Sequence, residues 1–227
     1  MPFTAELQAL LMAIGTKRNM IQHDYLFLEG MDNEALFFLE SGLVRLVKGS
    51  SDGKELIMRI CRSGELVGEA ILSTGESTYA LSAEIIRNGE AYAIPKGALL
   101  DELGRRPKLS IEMLQWSSLQ ARKQQMKLRD FLLYGKKGAL YSTLIRLSNS
   151  YGIRSGGSII ISLPFSHREL AGFCQLTRES VNRLLRQLIQ LGVIHYDSRG
   201  RVVIDDFNFL KSSIQCENCP AHICNIH

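Results

Sequence analysis

The stretch that most constrains this chain runs from Ser166 to Leu191, S-H-R-E-L-A-G-F-C-Q-L-T-R-E-S-V-N-R-L-L-R-Q-L-I-Q-L. Ser166 and Glu169 stand in capping-box spacing and Phe165 and Leu170 are placed for the hydrophobic staple, so a helix is predicted to start at Ser166. Its inward face is Leu170, Ala171, Phe173 and Cys174, where the small Ala171 lets a second helix cross closely. Thr177 is the next N-cap, after which Val181, Leu184, Leu185 and Leu188 recur at helical spacing. The opposite face carries Arg178, Glu179, Asn182, Arg183 and Arg186. A charged face on a short helix is most often merely solvated. The residue types weigh against that here: Arg can grip guanine O6 and N7 with two bonds, and Glu can accept from cytosine N4. Both stand in the first turns of a second helix, where helix-turn-helix motifs meet bases. The pattern implies a helix-turn-helix that reads double-stranded DNA.

Charge is divided to match. Residues 1–107 hold 11 Lys/Arg against 15 Asp/Glu, whereas residues 136–215 hold 11 against 5, so the excess of +6 belongs to the half with the motif. Phosphate neutralisation needs it there, and DNA would repel the acidic half. No apolar run approaches the roughly 18 residues of a membrane helix, and no basic segment followed by an apolar block opens the chain. A cytoplasmic protein without membrane contact is expected, in which five cysteines are poor disulfide candidates.

Leu7, Leu10, Leu11 and Ile14 in residues 1–22 give a helix-like packing stretch. From Tyr25 to Ile94 short strand-like runs (A-L-F-F-L-E, L-V-R-L-V, E-L-I-M-R-I) are punctuated by Gly30, Gly42, Gly53, Gly64, Gly68, Gly75 and Gly89, which predicts a small antiparallel barrel or roll. Pro107 precedes the longest helical pattern, with Ile111, Leu114, Ser118, Ala121, Gln125, Leu128 and Leu132 as a heptad seam and Trp116, Leu119 and Met126 on another face. Gly135 and Gly138 bracket Lys136 and Lys137 as a hinge, and Gly138 to Tyr151 is a further amphipathic helix with Leu140, Leu144, Ile145 and Leu147 inward. A strand at Ile159–Ile161 enters the motif. V-I-H-Y-D-S-R-G-R-V-V-I beyond it is a hairpin that forms a wing, whose Arg199 and Arg201 could meet phosphates. His195 receives no role.

The last twelve residues hold Cys216, Cys219 and Cys224 in C-x2-C-x4-C spacing, which points to a metal or cluster site, while Cys61 and Cys174 lie in apolar patterns and read as core. Zinc could take the three thiolates with His227 or His222; an iron–sulfur cluster could take the same three and leave one iron for an oxygen ligand. Spacing leaves both open.

T-R-E-S-V-N-R resembles the recognition helix of the catabolite-activator/FNR family of bacterial transcription regulators, and Arg178, Glu179 and Arg183 match the version that reads TGTGA half-sites. One departure is Gln175, where the turn between the helices usually has Gly. The runs F-L-E-S-G-L-V-R-L, D-G-K-E-L-I and G-E-L-V-G-E resemble the same family's sensor roll. The resemblance implies an α+β chain: an N-terminal antiparallel β-roll like a cyclic-nucleotide-binding domain in residues 1–107, a long dimerisation helix in 108–135, a C-terminal winged helix-turn-helix in 136–210 and a cysteine-containing tail in 211–227. It also implies a homodimer that reads an inverted repeat, with RNA polymerase as a further partner. Members that bind cyclic AMP carry an Arg-Ser pair in the loop after G-E; here Gly68 and Glu69 lead into S-T-G-E-S-T-Y-A-L without a cation, so no cyclic AMP is expected.

The tail is similar to that of the Bacillus-type FNR proteins, which implies an oxygen-sensitive [4Fe-4S] cluster on Cys216, Cys219 and Cys224, with Asp130 as fourth ligand; taken alone, Asp130 reads as a solvated helix charge beside Arg129. The function expected is oxygen-responsive regulation, activating anaerobic genes, with a redox-inert zinc-stabilised regulator as the alternative. No nucleophile and base in recognisable spacing, phosphate-binding glycine loop or H-E-x-x-H points to an enzyme; a thiol redox enzyme built on the tail is the residual enzymatic possibility.

Overall fold

The computed structural model describes residues 3–50, 55–69 and 78–227. They fall into two compact units, residues 1–118 with His227, and residues 119–226. Asp52 to Lys54 of the D-G-K run, with its Gly53, and Ser73 to Ser77 of the loop after Glu69, with its Gly75, lie outside the described residues.

In the first unit Thr4 caps helix α1 (Ala5–Ile14) by accepting from the Leu7 amide. Among the described residues eight strands follow: β1 (Thr16–Met20), β2 (Tyr25–Phe27), β3 (Ala35–Leu39), β4 (Leu43–Gly49), β5 (Glu55–Arg62), β6 (Leu66–Val67), β7 (Ser82–Arg87) and β8 (Gly89–Pro95). They pair antiparallel in two sheets of order β1-β8-β3-β6 and β2-β7-β4-β5, the roll that the alternating short strands predict. Strand β1 is the addition, since T-K-R-N-M buries only Met20 and so shows no apolar alternation. Cys61 is fully buried among Val44, Leu46 and Ile85 in one of the roll's cores. Helix α2 (Lys96–Arg105) and the start of α3 (Pro107–Tyr151) complete the unit, with Trp116 packed 6.0 Å from Phe3 and 5.9 Å from the Arg59 guanidinium.

Helix α3 contains one break, at Gly135, whose φ of 58° and ψ of −149° only glycine adopts readily. The hinge is narrower than Gly135 to Gly138. Gly138 is helical, and a Cβ there would lie 2.2 Å from Tyr134 Cβ, so this glycine serves close packing rather than freedom. Exposed residues on α3 recur at Ile111, Leu114, Ser118, Ala121, Gln125, Leu128 and Leu132, the heptad seam itself.

In the second unit the resumed helix buries Leu140, Leu144, Ile145 and Leu147. After β9 (Gly152–Ser155) and β10 (Ser158–Ile161) come α4 (His167–Cys174) and α5 (Arg178–Gln190), then the wing strands β11 (Ile194–Tyr196) and β12 (Val202–Ile204), and α6 (Phe207–Ser213). The four strands form one sheet of order β11-β12-β10-β9. The capping box of α4 is complete, with Ser166 accepting from the Glu169 amide and Glu169 accepting from the Ser166 amide. Gln175 takes φ 56°, ψ 36°, the left-handed conformation in which a side chain costs about 1–2 kcal/mol. Gln175→Gly is therefore expected to slow amide exchange in α4 and α5 by relieving that strain, with a net gain of up to ~1.6 kcal/mol after the ~0.4–1 kcal/mol that glycine adds to unfolded-chain entropy.

Candidate metal centre and nucleic-acid interface

Helix α5 starts at Thr177, whose hydroxyl accepts from the Ser180 amide, and sinks Val181, Leu184, Leu185 and Leu188 into the core beside Leu170 and Cys174. That anchoring turns the other face to solvent. Arg178, Glu179, Arg183 and Arg186 are exposed, Asn182 is half-buried, and none of the five is held by a hydrogen bond or ion pair among the described residues. The unpaired guanidinium of Arg178 stands in the first turn, where the backbone adds partial positive charge, and Arg183 and Arg186 follow it along the same exposed face, an arrangement that suits an anionic duplex. On the wing, Arg199 is exposed, whereas the Arg201 guanidinium is already paired with Asp197, with N–H to carboxylate distances of 2.7 Å. The Arg201 backbone amide that donates to it, then the Arg201 guanidinium and the Arg199 amide, keep the Asp197 carboxyl below its ordinary range against the opposing effect of burial. His195, which sequence reasoning left without a role, pairs through Nδ1 with Asp205 at 2.6 Å and fastens the wing strand to the segment after β12.

Asp130 is where sequence reasoning about the residue by itself fails most clearly. It is 3% exposed, not a solvated helix charge. Its Oδ1 accepts from Arg129 Nε and Nη2 at 3.1 and 2.7 Å; its Oδ2 accepts from Ser142 Oγ at 2.6 Å and from Arg146 Nη2 at 2.9 Å. Ser142 and Arg146 lie one turn apart on the segment of α3 after Gly135, so this network ties the two sides of the break together.

The tail comes to the same place. Arg129 also pairs with Glu217 at 2.5 Å, Asn149 donates to the Cys224 carbonyl at 2.7 Å, and the Ile226 amide donates to Ser150 Oγ at 3.0 Å. Asn218 takes φ 53°, a conformation asparagine tolerates, in the short turn between Cys216 and Cys219. As a result Cys216, Cys219 and Cys224 line one cavity with Asp130, Arg129, Ser142 and Arg146. Burial pushes the Cys224 thiol up, Arg146 pulls it back, and the neighbouring Cys216, Cys219 and Asp130 push it further up. Cys174, wholly buried and donating to Thr143 Oγ1, is pushed up to about 12 by burial and stays a core thiol.

Among the described residues no three His, Cys, Asp or Glu side chains converge closely enough to hold an ion. The cavity measures about 20 Å³, room for about one water, which needs roughly 10–15 Å³. Asp130 spends its four acceptor positions on its present donors. The donor set nonetheless fits an iron–sulfur cluster in its chemistry: three soft thiols, one carboxylate and two arginines to offset their charge. Holding one would require more room than this cavity has and the release of one donor from Asp130. A Cys3His set is less well served, because neither the exposed His222 nor His227 lines this cavity.

On the roll, no Lys or Arg occurs from Ser63 to Ile86, yet Lys48 Nζ reaches the Ala80 carbonyl at 3.1 Å while pairing with Glu29 at 2.6 Å. Among the described residues no helix is long and apolar enough to cross a membrane.

Residues 17–106 match the model of the cyclic nucleotide-binding domain, and residues 138–213 that of the Crp-like helix-turn-helix domain. The chain is 48% identical over 223 residues to the anaerobic regulatory protein of Bacillus subtilis, covering 98% of this chain and 94% of that protein. It is 28% identical over 203 residues to the nitrogen fixation regulation protein FixK of Azorhizobium caulinodans, covering 88% and 79%. In structure it resembles the c-di-GMP-responsive global regulator CLP of Xanthomonas campestris with a TM-score of 0.77 at 21% identity, covering 89% of this chain and 100% of that one. These domains and relatives are those of a transcription regulator, not of an enzyme.

Proposed function

The chain belongs to the CRP/FNR family of DNA-binding transcription regulators, whose members act as dimers, and from that premise we propose that it is a cytoplasmic, oxygen-responsive regulator that activates anaerobic genes from TGTGA-type inverted repeats. The observation that carries this reading is the meeting of Cys216, Cys219 and Cys224 with Asp130 around one cavity that spans the Gly135 break. The Bacillus subtilis relative is an anaerobic regulatory protein, which supports the same reading. A [4Fe-4S] cluster, when bound, would supply a crosslink that oxygen destroys.

The chain's own residues do the rest. Asp130 precedes the break and the thiols follow α6, so tying the two together fixes how the segment carrying α4 and α5 leaves α3. Fixing that angle favours the DNA-competent member of an ensemble, and freeing it removes the bias. The exposed seam Ile111, Leu114, Leu128 and Leu132 supplies the apolar face on which a second copy would pack, setting two α5 helices one DNA turn apart. RNA polymerase is the partner that activation requires. The roll is read as a scaffold without cyclic AMP, supported by the absence of Lys and Arg between Ser63 and Ile86.

Oxygen-free protein is expected to bind a TGTGA-N6-TCACA duplex tightly and to lose that affinity in air; equal affinity in both conditions would refute the switch. Arg183→Ala should weaken binding to this duplex by ~1–3 kcal/mol at fixed salt and relax the preference at one guanine.

A further inference from the structure

We infer that Arg146 is a positioning residue for the sulfur-bearing occupant of this cavity, holding Asp130 with one nitrogen while the other donates to a thiolate or inorganic sulfide. The inference deepens the iron–sulfur reading above and rests on it.

Arg146 is 3% exposed. Its Nη2 donates to Asp130 Oδ2 at 2.9 Å and its Nε to Ser142 Oγ at 3.2 Å, whereas Nη1 is buried with no hydrogen-bond partner among the described residues. A buried guanidinium nitrogen without an acceptor is costly, and such groups rarely persist without a use. Were Arg146 only the counter-ion of Asp130, a fork of two parallel bonds would satisfy it better. Instead it spends Nε on Ser142 and leaves Nη1 over, and the residue itself lines a cavity with three thiols.

Charge points the same way. Arg129 divides itself between Asp130 and Glu217, so the two buried-side arginines face Asp130 and one largely exposed carboxylate. Two arginines thus meet two carboxylates, of which Glu217 stays largely in solvent, so negative charge added by thiolate ligands in the cavity would lie beside the guanidinium groups of Arg129 and Arg146. N–H donation to electron-rich sulfur stabilises the more reduced, more negative form and raises the potential.

The test loads the full-length protein, Arg146→Gln and Arg146→Lys with iron and sulfide without oxygen. Iron and sulfide content, the midpoint potential of the bound cluster and the rate at which visible absorbance disappears in air are then measured, with far-UV circular dichroism of the unloaded proteins as the folding control. R146Q is expected to show a lower midpoint potential and a severalfold faster decay in air. R146K keeps the charge but loses the planar fork that spans Asp130 and the cavity, so it should fall between; if R146Q does not fold, R146K against the parent decides. A parent protein that takes up no iron overturns the iron–sulfur reading and this inference with it. A parent that loads while both variants share its potential and decay rate overturns this inference alone.

Discussion

Replacing Cys224 with serine is expected to strip the oxygen-free protein of iron and to lower its affinity for the TGTGA duplex to that of air-treated protein. Serine keeps the size of the side chain but removes the soft donor, and its alkoxide forms only at far higher pH than a thiolate. Outer-shell changes at metal sites already cost about 10–100-fold in metal affinity, so loss of a ligand should cost at least as much. Cys216→Ser and Cys219→Ser should behave alike, because all three thiols line the same cavity. Cys61→Ala and Cys174→Ala supply the contrast: both side chains are buried in apolar cores, and both variants should keep their iron even where they melt earlier. Iron and acid-labile sulfide per chain, with duplex affinity at fixed salt, read the outcome. A Cys224→Ser protein that retains both would remove the tail from the sensing account.

What was legible in the sequence was local. The capping box at Ser166 and Glu169, the strained turn at Gln175 and the α3 seam each depend on residues within one or two helical turns, and each has the geometry its spacing predicts. The state of Asp130 was not legible from its own neighbours. Its burial depends on Ser142 and Arg146, twelve and sixteen residues onward and across the helix break at Gly135, so no periodicity centred on Asp130 reports it. A signal did exist on the other partner: Arg146 stands in the otherwise apolar run between Leu144 and Leu147, and an arginine buried there requires an anion. The sheet position of β1 and the pairing of His195 with Asp205 were hidden for the same reason, being set by partners distant in the chain.

Asp130→Ala is expected to unfold the second unit more readily whether or not a metal is present. The substitution leaves Arg146 buried without its anion, and breaking a buried pair by removing one partner costs about 3–5 kcal/mol. For a chain of this size that lowers the melting temperature by roughly 10 °C. Loss of DNA binding in Asp130→Ala therefore cannot be read as loss of an iron ligand alone. The double variant Asp130→Ala with Arg146→Leu separates the two effects, because replacing both members of a buried ion pair by apolar groups is often close to neutral. Its melting temperature should return most of the way to that of the parent, while its resistance to an iron chelator should not. A single variant that melts with the parent would show that the network contributes little to folding. A double variant that recovers both temperature and chelator resistance would make Asp130 a structural carboxylate only, and would leave the fourth iron to another ligand.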